Sequence, residues 1–549
     1  MYPSRKPDPK EVVRYYLFIW ILVQAFYWPT WNAGFVTDFT GLLERLDGSP
    51  ARDILTSFGY PAQQQVLNFF LYLFYHAFGA APLPWYLIHT GMHALNGLLL
   101  YLLVRRVSLY FGAASYQFAA VAATALFLLS PYQSEPVVWR VCFNYLLSTA
   151  LLLKAISATV DWVSRNRLHF PWMPLLFFTI ALFTFELAFS FPVLCLILLG
   201  FHGLQQKTWQ RFPLRVFYLV VPQLLLIGGY LSLNRLTLGK WIGHYGAETH
   251  LNLSPGLLLG TAFQYTAKLI GWARHYPYTY KDQLFQWVTQ PSFLVVAVSL
   301  LLIGLILLVR RFCRLSPSVK AAALFALCFP GALLPVLNIY FNYLLLVEND
   351  RHSYLASAFL FAAMGLLISR LPRYGRLLML GLFLLPSALL LWRTNRFWKE
   401  STIVYHQLLD GFRWHEAEEV FILNLPDNLN GVMIFRDYGN DGQTFLDALE
   451  YLKGRPYRGT LREVASYNMT SSADGVAVTQ PSPDSLTVTF DQWGNWWWRN
   501  GLGATNYQTD QYQFYNKGHH YELKWVAPPD NDTPVLFQDG AVWKTLSRY

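Results

Sequence analysis

Apolar residues along the first four hundred positions run in stretches of about twenty, separated by short polar turns, and the pattern changes character only after about residue 393. A helix that crosses a bilayer needs about 20 apolar residues, and short basic loops face the cytoplasm. With the N-terminus inside, the pattern predicts spans near 13–30, 84–104, 115–131, 137–155, 171–185, 187–203, 215–235, 291–309, 320–338, 353–369 and 375–392, about eleven in all. The basic groups Arg105/Arg106, Arg165/Arg167, Lys207/Arg211/Arg215, Arg310/Arg311/Arg314 and Arg370/Arg373/Arg376 then all fall on the cytoplasmic side. That agreement requires residues 63–79 and 255–273 not to cross, so both are assigned to amphipathic helices on the outer surface. A transmembrane domain of residues 1–395 with outer loops at 30–83 and 237–290 follows.

Residues 396–549 read differently. The stretch TIVYHQLLDGFRWHEAEEV predicts a helix, and VFILNLP, GVMIFRD, SLTVTF and HYELKWV predict strands broken by Gly, Pro, Asn and Asp. The expected fold class is a polytopic α-helical membrane protein with a C-terminal extracytoplasmic domain, β-rich or α+β. Composition agrees, since 54% hydrophobic and 13% charged residues suit a bilayer better than water. The net charge of +10 is spread over short loops as a topology signal, so no nucleic-acid partner is expected. Arg5, Lys6, Lys10 and Arg14 precede an apolar run without a small-residue cleavage site, which predicts a retained first span. Cys142, Cys195, Cys313 and Cys328 have no CxxC spacing and suggest neither a disulfide frame nor a structural zinc site.

Charges beside or inside apolar spans cost at least about 2.5 to 3.5 kcal/mol on insertion scales, and this marks Asp38, Glu135, Glu186 and Arg351 as candidates. Asp38 follows the first span at the membrane boundary; it is placed either to act as a base or to cap the helix TGLLERL. His89, His93 and Asn96 share a helix face, which fits packing polar groups better than zinc ligands, because no HExxH glutamate accompanies them. In SPYQSEPVVWR, Glu135 and Arg140 flank an aromatic and could pair with each other. Glu186 has no cation within a helical turn, and Arg351 with His352 opens the tenth span, where an Arg fork suits phosphate. All of these lie on one side of the membrane under the single topology.

Several segments resemble the multi-span glycosyltransferases of the GT-C superfamily, in particular the protein O-mannosyltransferases and their tetratricopeptide-bearing relatives. The similar pieces are Thr37-Asp38-Phe39, Phe78-Gly79 followed by WYLIHTGMHALNGLLLYLLVRR, and SPYQSEPVVWRVCFNYLL. FELAFSFP, LLPVLNIY, ENDRHSYLASAFLFAAMG and Arg393-Thr394-Asn395-Arg396-Phe397-Trp398 continue the series over roughly residues 13–400. Departures are also present. Asp38 is followed by Phe39 where a second acid is common, which leaves a divalent metal open; Tyr60-Pro61 replaces an Arg-Pro pair; and tetratricopeptide repeats are missing.

The resemblance implies an inverting transferase that moves a sugar from a polyprenyl-phosphate donor to a hydroxyl acceptor, protein or glycan, on the extracytoplasmic face of what is expected to be a bacterial inner membrane. In that role Asp38 is the base and Glu186 orients the acceptor or holds a cation. Arg351, with His352 and Arg140, meets the donor phosphate, while Glu135, His93 and Asn96 support. Two other readings stand beside it, a noncatalytic GT-C-like scaffold subunit of a membrane complex and a lipid or glycan transporter. The aromatic run Trp493–Arg499 suits a glycan surface, a β-domain core or the membrane interface.

Overall fold

The computed structural model describes the chain except residues 1–7, 57–62, 166–168, 242–249, 252–253, 338, 341–348, 415–416, 436–442, 492–495, 498–505, 531 and 547–549. Each of the eleven apolar stretches contains a helix. Among the described residues, eight helices are long and apolar enough to cross a membrane: Pro82–Phe111, Arg140–Ser164, Glu186–Gln206, Trp209–Leu238, Pro291–Arg314, Pro317–Leu337, Asp350–Ile368 and Arg373–Gly411. Tyr116–Leu128 and Trp172–Leu182 are apolar but shorter, and Pro9–Tyr27 carries Lys10, Glu11 and Arg14 near its start.

Local chemistry sets several ends. Asp8 caps the first helix by accepting from the Lys10 N–H at 3.0 Å. Proline opens the helices at Pro82 and Pro291, and Gly112 closes the former in the left-handed conformation. The helix Pro82–Phe111 is central, packing against Pro9–Tyr27, Tyr116–Leu128 and Phe143–Ser164. Close approach uses small residues: a Cβ on Gly365 would be 2.7 Å from the Ala119 carbonyl oxygen and 3.0 Å from Ala123 Cβ. By contrast Pro291–Arg311 turns Val295, Leu300, Leu301, Ile303 and Ile306 outward, an apolar exposure that suits a lipid surround better than water.

The bundle has two chemically distinct ends. One gathers basic turns, where Arg106 pairs with Asp161 at 3.2 Å, Lys320 donates to Gln205 at 3.1 Å and Tyr110 meets His202 at 2.6 Å. The other carries Asp38, Glu135, Glu186 and Arg351 together with the C-terminal domain. The helix Gln65–Phe78 has 14 residues, about 21 Å, short of the roughly 30 Å hydrocarbon core.

The C-terminal boundary differs from expectation. The predicted helix beginning at Thr402 is the continuation of the last apolar helix, so Arg373–Gly411 is one rod of 39 residues, about 58 Å long. No glycine or proline interrupts residues 387–410, and Glu419–Ile422 beyond it is a strand. Three sheets of four, five and four strands follow. Glu419–Ile422 runs parallel to both Val535–Asp539 and Thr460–Glu463, and Leu425–Leu429 runs parallel to Ser466–Met469. The predicted strands at SLTVTF and HYELKWV pair antiparallel as Ser485–Phe490 and His520–Trp525. An amphipathic helix, Gln443–Lys453, packs on Phe39–Gly48, so the region is α+β and seated directly on the Asp38 side of the bundle.

Candidate functional site

The loop before Asp38 is shaped by one glycine. Gly34 adopts φ +85°, and a Cβ there would collide with the Val138 carbonyl oxygen, so the loop lies flat on the 134–142 turn. Its carbonyl accepts the Arg140 N–H at 3.2 Å, its N–H donates to Thr402 Oγ1 at 3.3 Å, and Val36 O accepts the Trp139 indole N–H at 3.3 Å. Thr37, at φ 51°, turns the chain so that Asp38 is exposed while Phe39 and Thr40 are buried. Asp38 stands at the N-cap position of Phe39–Gly48, but its carboxylate accepts no amide of that helix and instead takes the Thr37 hydroxyl at 3.3 Å. The capping alternative is therefore not what the geometry adopts.

Glu135 and Arg140 do not pair. Glu135 bonds Arg351 through the guanidinium, and its other oxygen accepts the Asp350 N–H at 2.5 Å and the Arg351 N–H at 3.3 Å. Arg351 also donates to Asn349 at 3.0 Å and stacks over the Trp139 ring at 5.1 Å. Trp139 thus touches both the Asp38 loop and Arg351. Arg140 is fully buried; it donates to Val137 O at 3.1 Å and Thr30 O at 3.0 Å and lies over the Phe35 and Tyr86 rings. Those contacts make it a staple for the turn.

Two cations that the sequence did not single out complete the cluster. Asp350 pairs with Lys268 at 2.7 Å and with Arg274, both from the segment 255–275. Lys268 is fully buried and faces the Tyr132 ring at 5.2 Å. A lysine on an amphipathic helix usually extends its amine to water, so only the fold reveals this one. Among the described residues, the Tyr132 hydroxyl and His275 Nε2 are buried without a hydrogen-bond partner beside it, their rings 5.7 Å apart. Burial pushes the His275 imidazole down to about 3, and Arg274, Arg393 and Lys268 add to that shift.

The remaining candidates form a chain away from Arg351. His352 Nδ1 meets the Tyr145 hydroxyl at 3.1 Å, Tyr145 packs on Phe185 at 4.6 Å, and Glu186 follows Phe185. Glu186 accepts from Tyr230 at 3.1 Å and from Gln64 at 3.5 Å, and it holds neither Arg140 nor Arg351. His93 and Asn96 bond Tyr354 at 2.7 and 3.2 Å, and Asn96 also donates to Leu146 O at 2.9 Å, which is the packing role their spacing suggested, whereas His89 on the same face is buried with neither ring nitrogen hydrogen-bonded among the described residues. Among the described residues no three His, Cys, Asp or Glu side chains come together as a metal site. Tyr60-Pro61, Glu348, Trp493 and Trp498-Arg499 lie outside the described residues, while Trp496–Trp497 pairs with Ser466–Tyr467.

No family model matches this chain, and no curated protein matches it either.

Proposed function

We propose that this chain transfers a sugar from a polyprenyl-phosphate donor to a hydroxyl acceptor on the extracytoplasmic side of a membrane that it crosses about eleven times. The observation carrying the proposal is the position of Trp139, whose indole holds the Asp38 loop while its ring underlies Arg351. An exposed carboxylate and a dry cationic cluster thereby share one end of the bundle.

The chemistry asks for those two groups. The acceptor oxygen attacks the anomeric carbon as its proton passes to the Asp38 carboxylate; the bond from that carbon to the phosphate oxygen breaks, and polyprenyl phosphate leaves with the electron pair. General-base help of this kind contributes about 10²- to 10⁴-fold. Negative charge growing on the leaving phosphate is met by Arg351, with Lys268 and Arg274 beside it, preorganised where little water competes. His352 adjoins that clamp. Glu186, Gln64 and Tyr230 offer the carboxyl, amide and phenol groups that hydrogen-bond sugar or acceptor hydroxyls.

One observation favours a noncatalytic scaffold instead: Arg351, Lys268 and Arg274 already have carboxylate partners. Purified protein in liposomes containing a polyprenyl-phosphate sugar separates the two. Release of polyprenyl phosphate that depends on a hydroxyl acceptor supports transfer, whereas donor that stays intact with every acceptor class removes it in favour of the scaffold.

A further inference from the structure

The C-terminal domain reaches the cation cluster through the Gly431 carbonyl. Arg274 forks between two elements, with one nitrogen on Asp350 and the other donating to Gly431 O at 2.6 Å. Gly431 closes the hairpin that joins Leu425–Leu429 to Val432–Met433. It follows Asn430 at φ 50° and itself adopts φ +80°, with its N–H on Asn428 Oδ1 at 2.7 Å. A Cβ at this position would collide with the Arg274 guanidinium. The hairpin is anchored a second time on the other flank of the site. Ser401 bonds Met433 O, and Phe435 packs at 4.8 Å on Tyr405, whose hydroxyl meets Thr40 at 2.8 Å, two residues from Asp38. Asp350 and Arg351 are adjacent, and both of their N–H groups point at Glu135. The path from Gly431 to Arg351 therefore runs through one guanidinium and one carboxylate.

We propose that Gly431 is a positioning residue: its carbonyl, held by Arg274, sets the Asp350–Arg351 segment against Glu135, so the seating of the C-terminal domain governs the geometry of the anion clamp. The kinetic consequence rests on the transferase reading; the mechanical one does not. Hydrogen exchange on the full chain in detergent reads the mechanical half at the amides of Asp350 and Arg351. Gly431→Ala is expected to speed their exchange at least about tenfold by local opening. Arg274→Lys keeps a charge for Asp350 but cannot also reach Gly431, and it is expected to do the same; it carries the test where Gly431→Ala fails to accumulate. In liposomes Gly431→Ala should lower kcat for the polyprenyl-phosphate sugar about tenfold while KM changes less than about threefold, because the loosened clamp meets the charge that grows on the leaving phosphate. Unchanged exchange at both amides in Arg274→Lys overturns the proposal, and so does faster exchange with an unaltered kcat. Faster exchange in a protein whose wild type transfers no sugar supports the coupling and counts against the transferase reading alone.

Discussion

Glu135 and Arg351, 216 positions apart, meet twice: one carboxylate oxygen takes the guanidinium and the other accepts the Arg351 main-chain N–H at 3.3 Å. Both side chains are more than nine-tenths buried, so neither charge has water to fall back on. Removing one partner of such a pair costs about 3–5 kcal/mol. Glu135→Gln should therefore lower the unfolding temperature in detergent sharply, and the double change Glu135→Gln with Arg351→Gln should recover much of the loss. A single variant as stable as wild type would contradict the pairing.

Asp350 serves two cations, and its substitution should cost more than loss of either one. Asp350→Asn removes the carboxylate paired with both Lys268 and Arg274, whereas Lys268→Met leaves Asp350 with Arg274. Thermal unfolding of the two variants is expected to rank Asp350→Asn lower. The reverse order would show that Lys268 is not held by Asp350.

Gly34→Ala tests the seat of the Asp38 loop. The added Cβ meets the Val138 carbonyl oxygen, and the backbone sits at φ +85°, where side chains are strained. A destabilisation above about 1 kcal/mol is expected from the backbone conflict, together with increased protease cleavage between residues 33 and 38. Unaltered cleavage and stability would mean that the loop docks elsewhere.

His275 gives the fold an acid-sensitive component of defined sign. Its folded-state value lies near 3, below the ordinary 6.5, so the imidazole stays neutral in the fold while the unfolded chain takes up a proton as pH falls through 6.5. Stability is thus lost between about pH 6.5 and pH 3, on the order of 2 kcal/mol by pH 5. Unfolding temperatures at pH 7 and pH 5 should converge more closely in His275→Gln than in wild type. Equal pH sensitivity in the two proteins would place the titrating group elsewhere.

The helices were legible because their signal is length and hydropathy, which a bilayer reads one segment at a time. Asp38, Glu135 and Arg351 were legible because a charge beside an apolar run needs a reason. Pairings were not. Local spacing offered Arg140, five residues from Glu135, whereas the true partner comes from the helix beginning near residue 350. Lys268 and Arg274 were hidden because a basic residue on an amphipathic segment carries no sign that it points inward. Their one trace was Asp350, an acid beside Arg351 that needs its own counter-ion once buried. The fused helix Arg373–Gly411 was misread because the polar stretch from Arg393 to Glu400 looks like a membrane exit, yet it contains nothing that stops a helix.

The central claim is that Asp38 takes the acceptor proton while the Arg351 cluster holds the donor phosphate, and Asp38→Asn tests it most directly. The variant keeps the shape of the side chain and lacks only the basic carboxylate. With a polyprenyl-phosphate sugar in liposomes, donor binding should match wild type while kcat falls at least about a hundredfold. Transfer at the wild-type rate by Asp38→Asn would contradict the account.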